Sequence, residues 1–433
     1  MLKISDNRRF LAHSDGSPFF YLGDTAWELF HRLTLAEAER YLADRAAKGF
    51  TVIQAVVLAE LDGLHVANMN GDTPLIDDDP TQPNEAYFAH VDAVVDLAAS
   101  FGLHIGMLPT WGDKWNKKWG VGPEIFTQHN ARAFGIFIGR RYAEKPIIWI
   151  VGGDRPIEND EHRLIVRGMA EGLREGDRGS HLITMHTWGP HSTAEYVHEE
   201  GWLDFHTCQS GHARNADNYR FIAEDYARTP IRPCMDAEPG YEDMADHIGN
   251  LDGGYLDDRD ARKALYWALF AGAHGHTYGC NPVWQMWHPG RQQVIWPRRP
   301  WYEAIQLPGS GQMRHARDLL LSRPYLERIP DQSMIVSEVG AGTRHVQATR
   351  DGLGRYALVY LPAGEKVELD AGQLSGEKLS AYWFDPRTGA AKFIGLLDRQ
   401  ERMAFTPPQG GPDWVLVLDD ESCKFPAPGS RVF

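Results

Sequence analysis

Through the first two-thirds of the chain, short apolar, β-branched runs alternate with longer stretches in which apolar residues recur every three to four positions. That is the pattern of βα units laid around a parallel sheet. The runs fall at residues 19–22, 51–58, 104–108, 147–151, 182–186, 205–209, 231–235 and 275–279. Of the helical stretches between them, 34–48 opens on Thr34 with Glu37 three residues later, a capping box, and stops at Gly49. A second, 87–101, stops at Gly102; a third, 127–143, ends before Pro146; a fourth, 260–271, leads into the last run. Eight strands with intervening helices over roughly 270 residues have the size of a (β/α)8 TIM barrel, typically about 250 residues, which places the chain in the α/β class. An open doubly wound sheet would carry GxGxxG after its first strand, whereas residues 23–27 here read Gly-Asp-Thr-Ala-Trp.

From residue 332 the texture changes to short runs separated by turns, at 356–361, 366–369, 379–384, around Phe393 and at 414–418. Asp-Pro-Arg-Thr-Gly at 385–389 is a strong turn signal, and Pro407-Pro408 with Gly410-Gly411 marks a second break. The expected layout is a barrel over 1–331 and a small antiparallel β-sandwich over 332–433. Residues 2–13, turning at Asp15-Gly16, are expected to pair as strands that cap the barrel floor or join the sandwich. The chain carries no internal repeat and no low-complexity segment.

Composition narrows the function. With 44 Lys and Arg against 59 Asp and Glu, the net charge is −15, the wrong sign for a nucleic-acid binder. No stretch approaches 18 consecutive apolar residues, so no membrane partner is expected, and the first residues lack a secretory apolar core, which points to a cytoplasmic protein. The four cysteines, Cys208, Cys234, Cys280 and Cys423, form no CxxC pair, so free thiols and no structural zinc are expected. No cofactor is called for, and the oligomeric state is left open. The 14 Trp, 16 Tyr and 19 His suit the apolar faces and hydroxyl rims of sugars, making a carbohydrate the expected partner.

In such a barrel, chemistry collects where strands end at their C-terminal side. The polar residues there are Asp24 and Trp27; Gln54; Trp111, Asp113 and Lys114; Asp154; His186 and Trp188; Gln209; Glu238 and Glu242; and His276, Asn281 and Trp284. Two carboxylates stand out. Asp154 follows an apolar strand through Gly152-Gly153, which permit a tight turn and leave room for a ligand; its plain reading is a helix cap or a partner of Arg155. Glu238 ends the seventh run, and Pro239 holds it extended. Of Asp236, Glu238 and Glu242, one is expected to be a structural acid paired with Arg232 or Lys263.

Strands four and seven face each other across a barrel mouth, which gives two opposed carboxyl groups, the requirement for glycoside hydrolysis. Asp154 is assigned as acid/base, its pKa raised by the charge of Glu238, and Glu238 as nucleophile. A double-displacement, retaining reaction needs the two roughly 5 to 5.5 Å apart, whereas inversion needs roughly 6.5 to 9.5 Å. Trp27, Trp111, Trp188 and Trp284 are candidate stacking platforms. Asp24, Gln54, Lys114, His186, Gln209 and Glu242 are candidate hydroxyl partners. No metal site is expected. His274-x-His276 lies on the last strand, not the first, and the Asp77-Asp78-Asp79 run with Asp72 reads as a solvated acidic insert.

The segments Phe20-Tyr-Leu-Gly-Asp-Thr-Ala-Trp27, Trp149-Ile-Val-Gly-Gly-Asp154, Asp236-Ala-Glu-Pro-Gly-Tyr-Glu242 and Trp383-Phe-Asp-Pro-Arg-Thr-Gly389 resemble the apiosidase-like glycoside hydrolases over nearly the whole chain. The resemblance implies a (β/α)8 barrel with a small C-terminal β-sandwich, and a retaining mechanism whose Asp and Glu map onto Asp154 and Glu238. It also implies release of terminal apiose, a branched pentose. With no export signal read from the sequence, the expected substrate is a plant-derived oligosaccharide or glycoside small enough to be imported. The loops 59–85, 240–259 and 281–300, which should set specificity, carry no transferable motif. The family's sandwich is often named a collagen-binding domain, but nothing in 332–433 suggests a collagen groove, and bracing of the barrel is the expected role. The expectation is therefore an exo-acting retaining glycosidase. The alternatives are a non-catalytic carbohydrate-binding barrel and a metal-dependent hydrolase.

Overall fold

The computed structural model describes residues 1–249 and 251–430. The eight runs form the barrel strands β1 (Tyr21–Thr25), β2 (Val52–Leu58), β3 (His104–Thr110), β4 (Ile147–Gly152), β5 (Ile183–His186), β6 (His206–Gln209), β7 (Cys234–Glu238) and β8 (Gly275–Tyr278). Their order in the curled sheet is 5-4-3-2-1-8-7-6, all parallel. Between β5 and β6 the seam is closed by the Thr184 hydroxyl on the Phe205 carbonyl at 2.6 Å, the Thr207 hydroxyl on the Met185 carbonyl, and the Asp204 N–H on the Ile183 carbonyl at 2.9 Å. Helices cover the outside, so the strands are buried on both faces; every residue of β2 is buried. The helix Leu35–Ala47 starts with the Thr34/Glu37 capping box, and Gln128–Arg141 with a second one built from Thr127 and Asn130.

Two strand boundaries differ from the sequence expectation, and both matter for the site. β7 begins only after Pro233, which has no N–H to give the ladder although its carbonyl accepts from the His206 N–H at 2.8 Å, and Glu238 is the last residue of the strand. β1 begins at Tyr21 because Pro18–Phe19 pairs instead with Leu11–His13. Those residues and Leu2–Ile4 make a three-stranded sheet. Leu2, Ile4, Leu11 and Phe19 pack with Tyr21, Val52, Ile148 and Phe205, which caps the barrel floor.

The C-terminal part is a six-stranded antiparallel sheet facing a two-stranded one, Val367–Asp370 with Arg402–Phe405. The large sheet starts at Arg328–Pro330, which pairs with Gln347–Asp351. One face, including Ala357, Val359, Leu416 and Leu418, packs on the small sheet; the other, including Tyr356, Leu358, Tyr360 and Val417, joins the core of the barrel helices. Tyr266 stacks on Tyr360 at 4.9 Å, and Arg262 holds Asp413 in a two-pronged ion pair at 2.9 and 3.0 Å. The sheet therefore braces the barrel through a buried face packed on the barrel helices. Among the described residues no helix is long and apolar enough to cross a membrane, and the four cysteines are unpaired.

Candidate active site

The end of β4 is a forced turn. Gly152, Gly153 and Asp154 have φ of +95°, +110° and +50°, three consecutive residues in the left-handed region. Glycine adopts this at little cost, and aspartate tolerates it better than most residues. A Cβ on Gly152 would lie 2.4 Å from the His186 carbonyl, and one on Gly153 2.7 Å from the Gly112 nitrogen, so neither position admits a side chain. The turn swings Asp154 over the mouth. Its Oδ2 accepts from Trp119 Nε1 at 3.1 Å and from Arg155 Nη1 at 3.0 Å, and Oδ1 has no hydrogen-bond partner among the described residues. Arg155 is fully buried and also bonds the Asp154 carbonyl at 2.7 Å. The pairing with Arg155 is real, yet the Asp154 side chain keeps one-fifth of its surface exposed and lines the cavity.

Glu238 is held differently. Its Oε1 accepts from His212 Nε2 at 3.1 Å, and its Oε2 lies 2.7 Å from His186 Nε2. The Asp154 backbone N–H points at His186 Nδ1 at 3.2 Å, and Nε2, on the other side of the ring, is the nitrogen beside Glu238. One imidazole thus ties the backbone of one acid to the side chain of the other. Burial pushes both carboxyls up, but what surrounds them separates the two. Hydrogen bonds and charge from His186 and His212 pull Glu238 down to about 2. For Asp154, burial and then the charge of Glu238 outweigh Arg155, His186 and Trp119, and its pKa rises to about 6.

Both acids line one cavity of about 740 Å³ at the C-terminal end of the barrel. Of the sequence-predicted residues, Trp27, Trp111, Trp188, Gln209 and Trp284 also line it, and His186 sits against the rings of Trp27 and Trp111 at 5.3 and 5.9 Å. Four predicted contacts lie elsewhere. Asp24 points out of the barrel to Tyr41 and, at 2.5 Å, to Arg45, where all three are fully buried. Gln54 points into the barrel, donating to the Ala237 carbonyl at 3.1 Å and Thr277 Oγ1 at 2.8 Å. Lys114 is consumed by the Ala59 carbonyl at 2.6 Å and Asp113 at 2.7 Å. Glu242 accepts from the Tyr278 hydroxyl at 2.5 Å and from the Gly309 N–H at 3.3 Å, at the start of the helix Pro308–Leu321. These are structural bonds, not sugar contacts. Nor does Asp236 pair with Arg232 or Lys263: it accepts from Ser210 at 2.7 Å and Asn218 at 2.9 Å.

Sequence reasoning missed Glu60, Trp119, His212 and Tyr241, all of which line the cavity. Trp119 and His212 sit in loops three or more residues beyond their strands, so no strand-end rule marks them. The ring of Tyr241 packs edge-on against His212 at 4.6 Å and fixes its orientation. Trp119 lies over the Arg155 guanidinium at 4.4 Å and faces Trp188 at 6.0 Å. Among the described residues no group of three or more His, Cys, Asp or Glu side chains is placed to hold a metal ion.

The model of an apiosidase-like catalytic domain matches residues 5–327, and that of a "Putative collagen-binding domain of a collagenase" matches 329–419. Among solved structures, a protein described as a glycoside hydrolase is 32% identical, with a TM-score of 0.90 and 97% of each chain covered. A glycoside hydrolase family 5 from Bacteroides vulgatus ATCC 8482 is 31% identical with a TM-score of 0.91, covering 100% of this chain and 96% of that one. No protein among the curated ones matches the chain.

Proposed function

The chain belongs to the apiosidase-like family of glycoside hydrolases, and from that premise we propose that it is an exo-acting, retaining enzyme releasing a terminal neutral pentose. Apiose, or a sugar of similar shape on a plant-derived oligosaccharide or glycoside, is the proposed unit. The observation that carries the reading is that two carboxyls from β4 and β7 line one cavity and are held in opposite ways, Glu238 between His186 and His212 and Asp154 beside Arg155 and Trp119, an arrangement that raises Asp154 and lowers Glu238.

In the first step the ionised Glu238 attacks the anomeric carbon while the Asp154 proton, carried on the unpartnered Oδ1, passes to the leaving oxygen. The bond to the aglycone breaks and a glycosyl ester of Glu238 forms. Esterification removes the negative charge that held the Asp154 pKa up. Asp154 then gives its place to base chemistry: it takes a proton from water, whose oxygen attacks the same carbon and frees Glu238. Arg155 and the Trp119 N–H keep the resulting carboxylate in position.

Exo action is supported by the shape of the cavity. Trp27, Trp111 and Trp284, each under 5% exposed, close it on the β8-β1-β2-β3 side, while Trp119 and Ile248, each about half exposed, flank the other end. A neutral sugar is supported by the lining, which holds Glu60, Asp154, Asp217 and Glu238 and no Lys or Arg among the described residues. A uronate at the buried end would meet carboxylates without a counter-charge.

The test is hydrolysis of apiosyl, arabinofuranosyl, xylosyl and galactosyl aryl glycosides, with the first-formed product anomer read by NMR. The expected result is cleavage of a pentoside with retention. Calorimetric binding without product would instead make the protein a sugar-binding barrel, and an inverted first product would remove the double displacement.

A further inference from the structure

The cavity holds a third carboxyl that the double displacement does not use. Glu60 lies two residues beyond β2, between the loops that carry Trp27 after β1 and Trp111 after β3, so it stands at the closed end of the cavity. It is partly buried, and it makes no side-chain hydrogen bond or ion pair with any described residue. The charged groups around it are committed elsewhere. Glu28 takes His31 at 2.6 Å and Arg32 at 3.6 Å, Asp113 takes Lys114 at 2.7 Å, and the Arg155 guanidinium bonds Asp154.

Burial pushes the Glu60 pKa up, the charges of Asp154, Glu28 and Asp113 add to it, and Arg155 opposes them without reversing the direction. A half-desolvated carboxyl with no partner is costly to a folded protein and calls for one from outside. With its proton on, it offers one donor and one acceptor side by side, the complement of a sugar hydroxyl, which also donates and accepts.

We infer that Glu60 is a specificity-determining residue that binds one hydroxyl of the terminal sugar at the closed end of the cavity. The inference rests on the glycosidase reading and adds to it the group that selects the sugar. A hydroxyl-deleted sugar would leave Glu60 desolvated and unpaired, so discrimination comes from the missing bond.

The experiment compares wild type, Glu60→Gln and Glu60→Ala on the preferred 4-nitrophenyl glycoside and its monodeoxy analogues. Glu60→Ala is expected to lower kcat/KM about 10- to 100-fold on the parent sugar, and Glu60→Gln, which keeps a donor and an acceptor, by much less. One deoxy analogue should be as poor for wild type as the parent is for Glu60→Ala, with no further loss in the variant. Equal losses on every analogue, or no loss on the parent, would overturn the proposal. If wild type cleaves nothing on the panel, the glycosidase reading fails separately, and Glu60 is judged by calorimetry with free apiose, arabinose, xylose and galactose. Binding lost in Glu60→Ala supports the contact, and unchanged binding refutes it.

Discussion

The ends of β4 and β7 carry the same functional group at similar depth in one barrel mouth, and they hold it in opposite ways. β7 delivers Glu238 at the end of a regular strand, where His212 bonds one carboxylate oxygen and His186 faces the other at 2.7 Å. β4 breaks into a left-handed turn and leaves Asp154 with one oxygen held and one free, facing the charge of Glu238. Burial alone would raise both carboxyls. What decides the sign is whether the neighbours bond the anion, as at Glu238, or add a second negative charge, as at Asp154. His186 belongs to both arrangements, because it accepts from the Asp154 backbone and faces Glu238 with its other nitrogen.

The comparison breaks most completely when either acid becomes an amide. Glu238→Gln and Asp154→Asn should each lower kcat about 10³-fold or more on a poor leaving group while melting as folded proteins. On an activated aryl glycoside the Asp154→Asn deficit should shrink and the Glu238→Gln deficit should not, because only the first residue helps the leaving group. Gly153→Ala comes next. Its methyl would meet the Gly112 nitrogen at 2.7 Å with φ at +110°, displacing Asp154, and a shift of about 1 Å is enough to cost about 10² in rate.

Smaller effects show as moved pH limbs. In wild type, kcat/KM should fall above about pH 6 as Asp154 loses the proton it must donate, and hold on the acid side until Glu238 begins to protonate near 2. His212→Ala removes a bond to the anion, so the Glu238 pKa rises and the acid limb moves up, with loss at pH 4 exceeding loss at pH 6. Trp119→Phe deletes an N–H that lowers Asp154, so the basic limb should move up. A pH profile of each variant reads these directions.

The barrel, the Thr34/Glu37 capping box and the two candidate carboxyls were legible because each depends on local pattern: periodicity, caps, and Gly-Gly before an acid. What was not legible is which way a strand-end side chain points. Asp24 lies at the end of an apolar strand but its side chain turns out to the helix, and Gln54 lies four residues before the end of β2 with its side chain inside the barrel, below the mouth residues. One signal for Asp24 lay in Arg45, on the inner face of the helix Leu35–Ala47, where a buried guanidinium requires a carboxylate. His212 and Trp119 come from loops whose path depends on tertiary contacts, and no spacing along the chain reveals them.

The roles of the two acids are separated most directly by azide rescue of Asp154→Ala and Glu238→Ala on an activated aryl glycoside, reading the anomeric configuration of the glycosyl azide. Azide should replace the lost carboxylate in Glu238→Ala and give the inverted azide, and should intercept the glycosyl ester in Asp154→Ala and give the retained one. The same configuration from both variants, or the two configurations exchanged, would contradict the assignment.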